Sequence, residues 1–148
     1  MFQAGKILSV VTFIYASELP SSMLEAASAY IEKENLVLTI KRERGKYKGC
    51  RSMPHGMVEK GETPKVAVVR ETEEETGYKV RVLRQITDYL GQLDSGEDVK
   101  IHIYECEILS GIEKPDMNPE WIPKKELLTR DDVVPSLKKA IKSISDLV

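Results

Sequence analysis

Runs of strand-like residues alternating with two helical segments predict an α/β fold for this 148-residue chain. The first supporting observation is a set of short β-branched and aromatic runs bounded by turn residues. The second is "TPKVAVVRETEEETGY" (residues 63–78). Thr63 is placed to cap a helix, Pro64 takes its first position, where a missing N–H costs nothing, and Gly77 ends it. The third is the tail "VVPSLKKAIKSISDLV", which sets Leu137, Ile141, Ile144 and Val148 on one helical face.

Residues 7–15, in "KILSVVTFIYA", are apolar and read as an additional N-terminal strand. One lysine and a short apolar run loosely mimic a signal peptide, but acidic Glu18 follows without a clear cleavage site, and the run is too short to span a bilayer. Such a strand is expected to pair with a sheet edge or with a partner subunit, which favours a homodimer. "ELPSSMLEA" breaks it. "ASAYIEKENLVLTIKR" reads as a hairpin, apolar to Ile31, turning over Glu32–Asn35, and apolar again from Leu36 to Ile40. A loop rich in glycine and charge follows, then the helix, then two strands, "YKVRVLRQITDYL" and "DVKIHIYECEI". No repeat or linker divides the chain, so residues 1–148 are expected to form one domain, with residues 1–22 as an extra strand and connection.

Composition is that of an ordinary globular protein, 41% hydrophobic and 31% charged. A net charge of −2 offers no basic field for stable nucleic-acid binding or for an acidic membrane. Cys50 and Cys106 lack zinc spacing and are too few for a disulfide scaffold; a reducing cytoplasm fits best.

"RETEEETGY" places four glutamates at the C-terminal end of the helix, where the macrodipole favours cations. At 3.6 residues per turn, Glu71, Glu74 and Glu75 (i, i+3, i+4) share one face and Glu73 points elsewhere. Convergent carboxylates suit a hard cation such as Mg²⁺ or Mn²⁺. On the helix alone, a solvated acidic face is an equal reading.

The flanking residues separate the two. From Gly56 the sequence follows G-x5-E-x7-R-E-U-x-E-E-x-G-U, with Gly56, Glu62, Arg70, Glu71, Glu74, Glu75 and Gly77 at all seven fixed positions. At ordinary residue frequencies a chance match is roughly one in 10⁸ per register. This stretch resembles the Nudix box of the Nudix hydrolases, and the order of flanking strands looks like that family over about residues 27–147. The bulky apolar U positions hold Thr72 and Tyr78, and His55 stands where the family often has a first glycine.

The resemblance implies an α/β/α sandwich with a mixed sheet and a Mg²⁺-dependent (or Mn²⁺-dependent) pyrophosphohydrolase acting on a nucleoside diphosphate linked to another group. Glu71 and Glu75 look like direct metal ligands. Glu74 looks like a third ligand or the base for the attacking water. Arg70 would orient a carboxylate, and Glu62 would reach the metal directly or through water. His55 is either a plain loop histidine or a further ligand. Arg42, Arg44 and Arg51 lie among the six cations of "KRERGKYKGCR" and are candidates for phosphate contact, against a solvated hairpin end. Trp121 reads as a core residue before a base-stacking one. On a late loop, Glu113, Asp116 and Glu120 are alternatives for a general base.

No proline stands about sixteen residues beyond Gly77, the position linked to ADP-ribose preference. The lean is therefore to nucleoside triphosphates, giving monophosphate and pyrophosphate. ADP-ribose or a nucleotide sugar is the alternative within the class, and a catalytically silent nucleotide sensor the alternative outside it.

Overall fold

A computed structural model describes residues 23–147. The strand expected over residues 7–15, the dimer expected of it, and Val148 lie outside these residues. Strands β1 (Leu24–Tyr30), β5 (His55–Met57), β6 (Tyr78–Gln92) and β7 (Asp98–Gly111) form a sheet in the order β5-β1-β7-β6. β1 runs parallel to β7, while the other pairs are antiparallel, so the sheet is mixed. A smaller sheet joins β2 (Glu32–Lys33), β3 (Leu36–Lys41) and β4 (Arg51–Ser52), with β8 (Glu120–Pro123) on the other side of β3.

Helix α1 (Pro64–Thr76) lies on one face of the main sheet. There Ala67 and Val68 pack with Ala27, Ala29, Tyr104 and Cys106. Helix α3 (Pro135–Asp146), which follows the short α2 (Lys124–Thr129), covers the other face. Its Leu137, Ile141 and Ile144 pack with Tyr30, Ile86 and Ile103. This is the expected α/β/α arrangement. Two faces buried by two helices explain why Ala26 to Tyr30 are all buried, with no alternation.

The hairpin expected from Ala27 to Arg42 is corrected. Only its tip forms, as β2 against β3 through Glu34 and Asn35 at φ 54° and 69°. β1 leaves at Ile31 and pairs with β7 in the other sheet. Burial on both faces rewards β1 more than a continued local pairing does.

The start and end of α1 are as the sequence implies. Val66 N–H donates to Thr63 Oγ1 at 3.2 Å, and Pro64 sits in the first turn. Gly77 adopts φ 87° and donates its N–H to the Glu73 carbonyl. A Cβ there would stand 2.1 Å from the Ile112 carbonyl oxygen. Gly77→Ala should therefore cost about 2 kcal/mol or more, from left-handed strain plus that collision. The midpoint of urea unfolding measures it, and a change below about 0.5 kcal/mol would contradict the account.

Thr72 is fully buried where an apolar residue was the pattern. Its hydroxyl donates to the Val68 carbonyl at 2.6 Å, so no polar group is left unsatisfied. Tyr78 packs at the core's margin and donates its hydroxyl to Glu113.

Candidate active site

Arg70 organises the carboxylates. Its Nε and Nη2 donate to the two oxygens of Glu62, at 2.6 and 2.9 Å. Nη1 donates to Glu71 at 2.9 Å and to Glu74 at 3.4 Å, and Nη2 also reaches the Met57 carbonyl at 3.2 Å. One planar guanidinium thus ties the loop after β5 to the acidic face of α1. The hydrogen bonds from Arg70 hold the Glu62 carboxyl down at about 2. Glu62 is therefore an anchor for Arg70, and both its oxygens are engaged within the protein.

Gly56 is a requirement of the same cluster. A Cβ on it would lie 2.0 Å from Glu71 Cδ, so the missing side chain is the space the Glu71 carboxyl fills. Glu75, deeper on the helix face, accepts from the backbone N–H of His55 at 2.9 Å. Burial pushes its carboxyl up to about 7, reinforced by the neighbouring Glu71 and Glu74 and opposed by that hydrogen bond and by Arg42.

A carboxyl raised in the folded state binds more protons folded than unfolded, so stability falls as pH rises from about 4.5 to about 7. Without divalent metal the loss through Glu75 should be at most about 3 kcal/mol. Glu75→Gln should flatten that window, as chemical denaturation in EDTA at successive pH values would show. An unchanged slope in the variant would exclude Glu75 as the source.

His55 contributes its backbone to the site. Its Nδ1 donates to the Met53 carbonyl at 2.9 Å, and burial, then the Arg42 charge, holds the imidazole below its ordinary range. As the side chains stand, no three acidic, cysteine or imidazole groups among the described residues converge to hold a metal ion, because Glu71 and Glu74 both lean on Arg70. The donor chemistry nevertheless fits a hard divalent cation. Glu71, Glu74 and Glu75 present oxygens on one helix face, and the Gly56 cradle makes room for one of them.

An open cleft of about 830 Å³ is lined by Lys41, Arg42, Lys48, Asp116 and Asn118 among others. Arg42 connects the two regions, since its charge acts on both Glu75 and His55. Arg44 is exposed and does not line the cleft. Arg51 departs from the expectation of a phosphate grip. It is 5% exposed, and its guanidinium donates to Thr39 Oγ1 and the Asn118 carbonyl and pairs with Glu120.

Of the late-loop acids, Glu113 accepts from Tyr78 Oη at 3.1 Å and Trp121 Nε1 at 3.2 Å. Asp116 lines the cleft, and Glu120 pairs with Arg51. Trp121 is partly buried against the α1-side core. Sequence reasoning missed Lys114, whose Nζ donates to the Glu74 carbonyl at 3.0 Å. It supplies a cation at the crowded helix end from a distant loop, and no local pattern announces it.

The fold resembles solved structures, among them a MutT NUDIX hydrolase from Burkholderia pseudomallei. That match has a TM-score of 0.73 and 24% identity, over 82% of this chain and 97% of the other. Among curated proteins, an ADP-ribose pyrophosphatase of Methanocaldococcus jannaschii is 54% identical over 52 residues, 35% of this chain and 31% of the relative. One from Bacillus subtilis is 37% identical over 62 residues, 42% of this chain and 33% of the relative. The chain thus aligns with about a third of the length of each of these relatives. The NUDIX domain model matches residues 24–144, from β1 to the last turns of α3, and the protein belongs to the NUDIX domain family.

Proposed function

We propose that the protein is a Mg²⁺-dependent (or Mn²⁺-dependent) pyrophosphohydrolase that cleaves a nucleoside diphosphate linked to another group. The observation that carries this is the Arg70 cluster, in which one guanidinium ties Glu62 from the preceding loop to Glu71 and Glu74 on the helix face that also bears Glu75. A protein that only bound nucleotides would have no need of such mutual repulsion.

Glu71 and Glu75 would hold the metal, and Glu74 would be a third ligand or take the proton of the attacking water. Arg70 keeps the carboxylates in register, and Glu62 keeps Arg70 in place. When bound, a divalent cation would neutralise pyrophosphate charge and make water a better nucleophile. Arg42, Lys41 and Lys48 on the cleft would meet the phosphates.

These cations favour a nucleoside triphosphate as substrate, because it offers more charge to grip than a diphosphate sugar. The ADP-ribose pyrophosphatases among the relatives favour the second reading, ADP-ribose or a nucleotide sugar. A panel of nucleoside triphosphates, ADP-ribose and nucleotide sugars, compared by kcat/KM with Mg²⁺ and with EDTA, separates them. A tenfold lead for ADP-ribose, about 1.4 kcal/mol in the barrier, would displace the triphosphate reading. Nucleotide binding without Mg²⁺-dependent turnover of any member would leave a sensor in place of an enzyme.

A further inference from the structure

We infer that Arg51 is a positioning residue that sets the separation of the two walls of the cleft; this rests on the reading of that cleft as the nucleotide site. One wall is the connection from Lys41 to Gly49 between β3 and β4, and the other is the loop from Pro115 to Asn118. Arg51 lies at the base of both. In the sheet it is the register partner of Lys41, whose own N–H donates to the Met117 carbonyl at 2.9 Å.

The Arg51 side chain reaches from the start of β4, beside the first wall, to the second. Nη1 donates to the Asn118 carbonyl at 2.6 Å and to Thr39 Oγ1 at 3.3 Å, and Nη2 pairs with Glu120 at 3.2 Å. Thr39 in turn donates to the Glu120 carbonyl at 2.9 Å. The backbone of Arg51 is fixed as well, its N–H donating to the Asp132 carbonyl at 2.7 Å and its carbonyl accepting from Val134 at 3.0 Å. The guanidinium therefore has a rigid origin and a target that needs holding. Asn118 sits at φ 53°, in the left-handed region, and its N–H turns back to the Pro115 carbonyl at 2.9 Å.

A buried cation is costly unless its donors are met. Here they are met by Thr39 in β3, by Glu120 at the start of β8 and, in the shortest of the three bonds, by the Asn118 carbonyl on the second wall. A planar fork reaches Thr39, Asn118 and Glu120 together, whereas a lysine ammonium on a flexible stem would hold them less firmly. A role in stability alone would not require the shortest of these bonds to end on the cleft loop.

Arg51→Met and Arg51→Lys test this at a temperature where circular dichroism shows both folded. Arg51→Met should raise KM for the panel's best nucleotide about tenfold while kcat changes much less, and Arg51→Lys should recover part of the loss. Amide exchange over residues 115–118 should quicken in Arg51→Met and stay unchanged in α1. Unchanged KM and exchange overturn the inference, as does exchange quickened equally throughout the protein. A kcat collapse at constant KM would make Arg51 a catalytic residue and also overturn it. If Arg51→Met does not fold, Arg51→Lys carries the same comparison. If the wild type turns over no nucleotide, the function proposed above fails, while exchange at 115–118 and direct titration with ATP still decide the role of Arg51.

Discussion

Glu71→Gln is expected to lower Mg²⁺-dependent turnover by roughly 10²–10³-fold and to remove most of the stabilisation that Mg²⁺ confers. The amide keeps the shape of the carboxyl that fills the Gly56 cradle, and Arg70 keeps both bonds to Glu62. The fold is therefore preserved. Relief of like-charge repulsion with Glu74 and Glu75, roughly 0.2–0.5 kcal/mol per pair, offsets the weakened bond from Arg70 Nη1, so the metal-free variant should stay about as stable as the wild type. In the wild type, a metal that binds only the native state adds about 2.7 kcal/mol at a hundred times Kd. Thermal melts of both proteins in Mg²⁺ and in EDTA read the difference. Equal wild-type midpoints in the two buffers would remove the metal site from the account.

Arg70→Met is expected to have the largest effect on stability without metal. The Glu62 and Glu71 side chains are only 15% and 18% exposed, and each loses its cationic partner. Removing one partner of such a pair leaves the other charges uncompensated, so the variant should unfold at lower urea than the wild type. Added divalent cation should recover more stability in this variant than in the wild type, because the uncompensated carboxylates gain more from it. Arg70→Lys should recover little, since one ammonium cannot reproduce two parallel bonds to Glu62 and a third to Glu71. Urea midpoints in EDTA and in Mg²⁺ measure both effects. Wild-type stability for Arg70→Met in EDTA would show that Arg70 does not hold the carboxylates.

Sequence alone determined the features set by local geometry. Thr63, Pro64 and Gly77 delimit a helix because capping, a missing N–H and a left-handed residue each act within a few positions. The i, i+3, i+4 spacing then puts Glu71, Glu74 and Glu75 on one face whatever the rest of the chain does. The α/β class was legible for the same reason, and the Nudix-box spacing carried the family and, with it, the layered arrangement.

What tertiary structure decided involves partners far apart in the chain. Whether β1 pairs with β3 or with β7 depends on which choice buries both of its faces, a comparison no local window contains. Glu62 fits the motif as a metal-reaching acid, yet eight residues on, Arg70 takes both its oxygens. Lys114 reaches the α1 carbonyls from forty residues away. Arg42 and Arg51 look equivalent within one cationic run, but Arg42 falls just past the end of β3 and lines the cleft, whereas Arg51 opens β4 and is buried. Only the folded chain supplies Asn118 and Glu120 to receive the inward one.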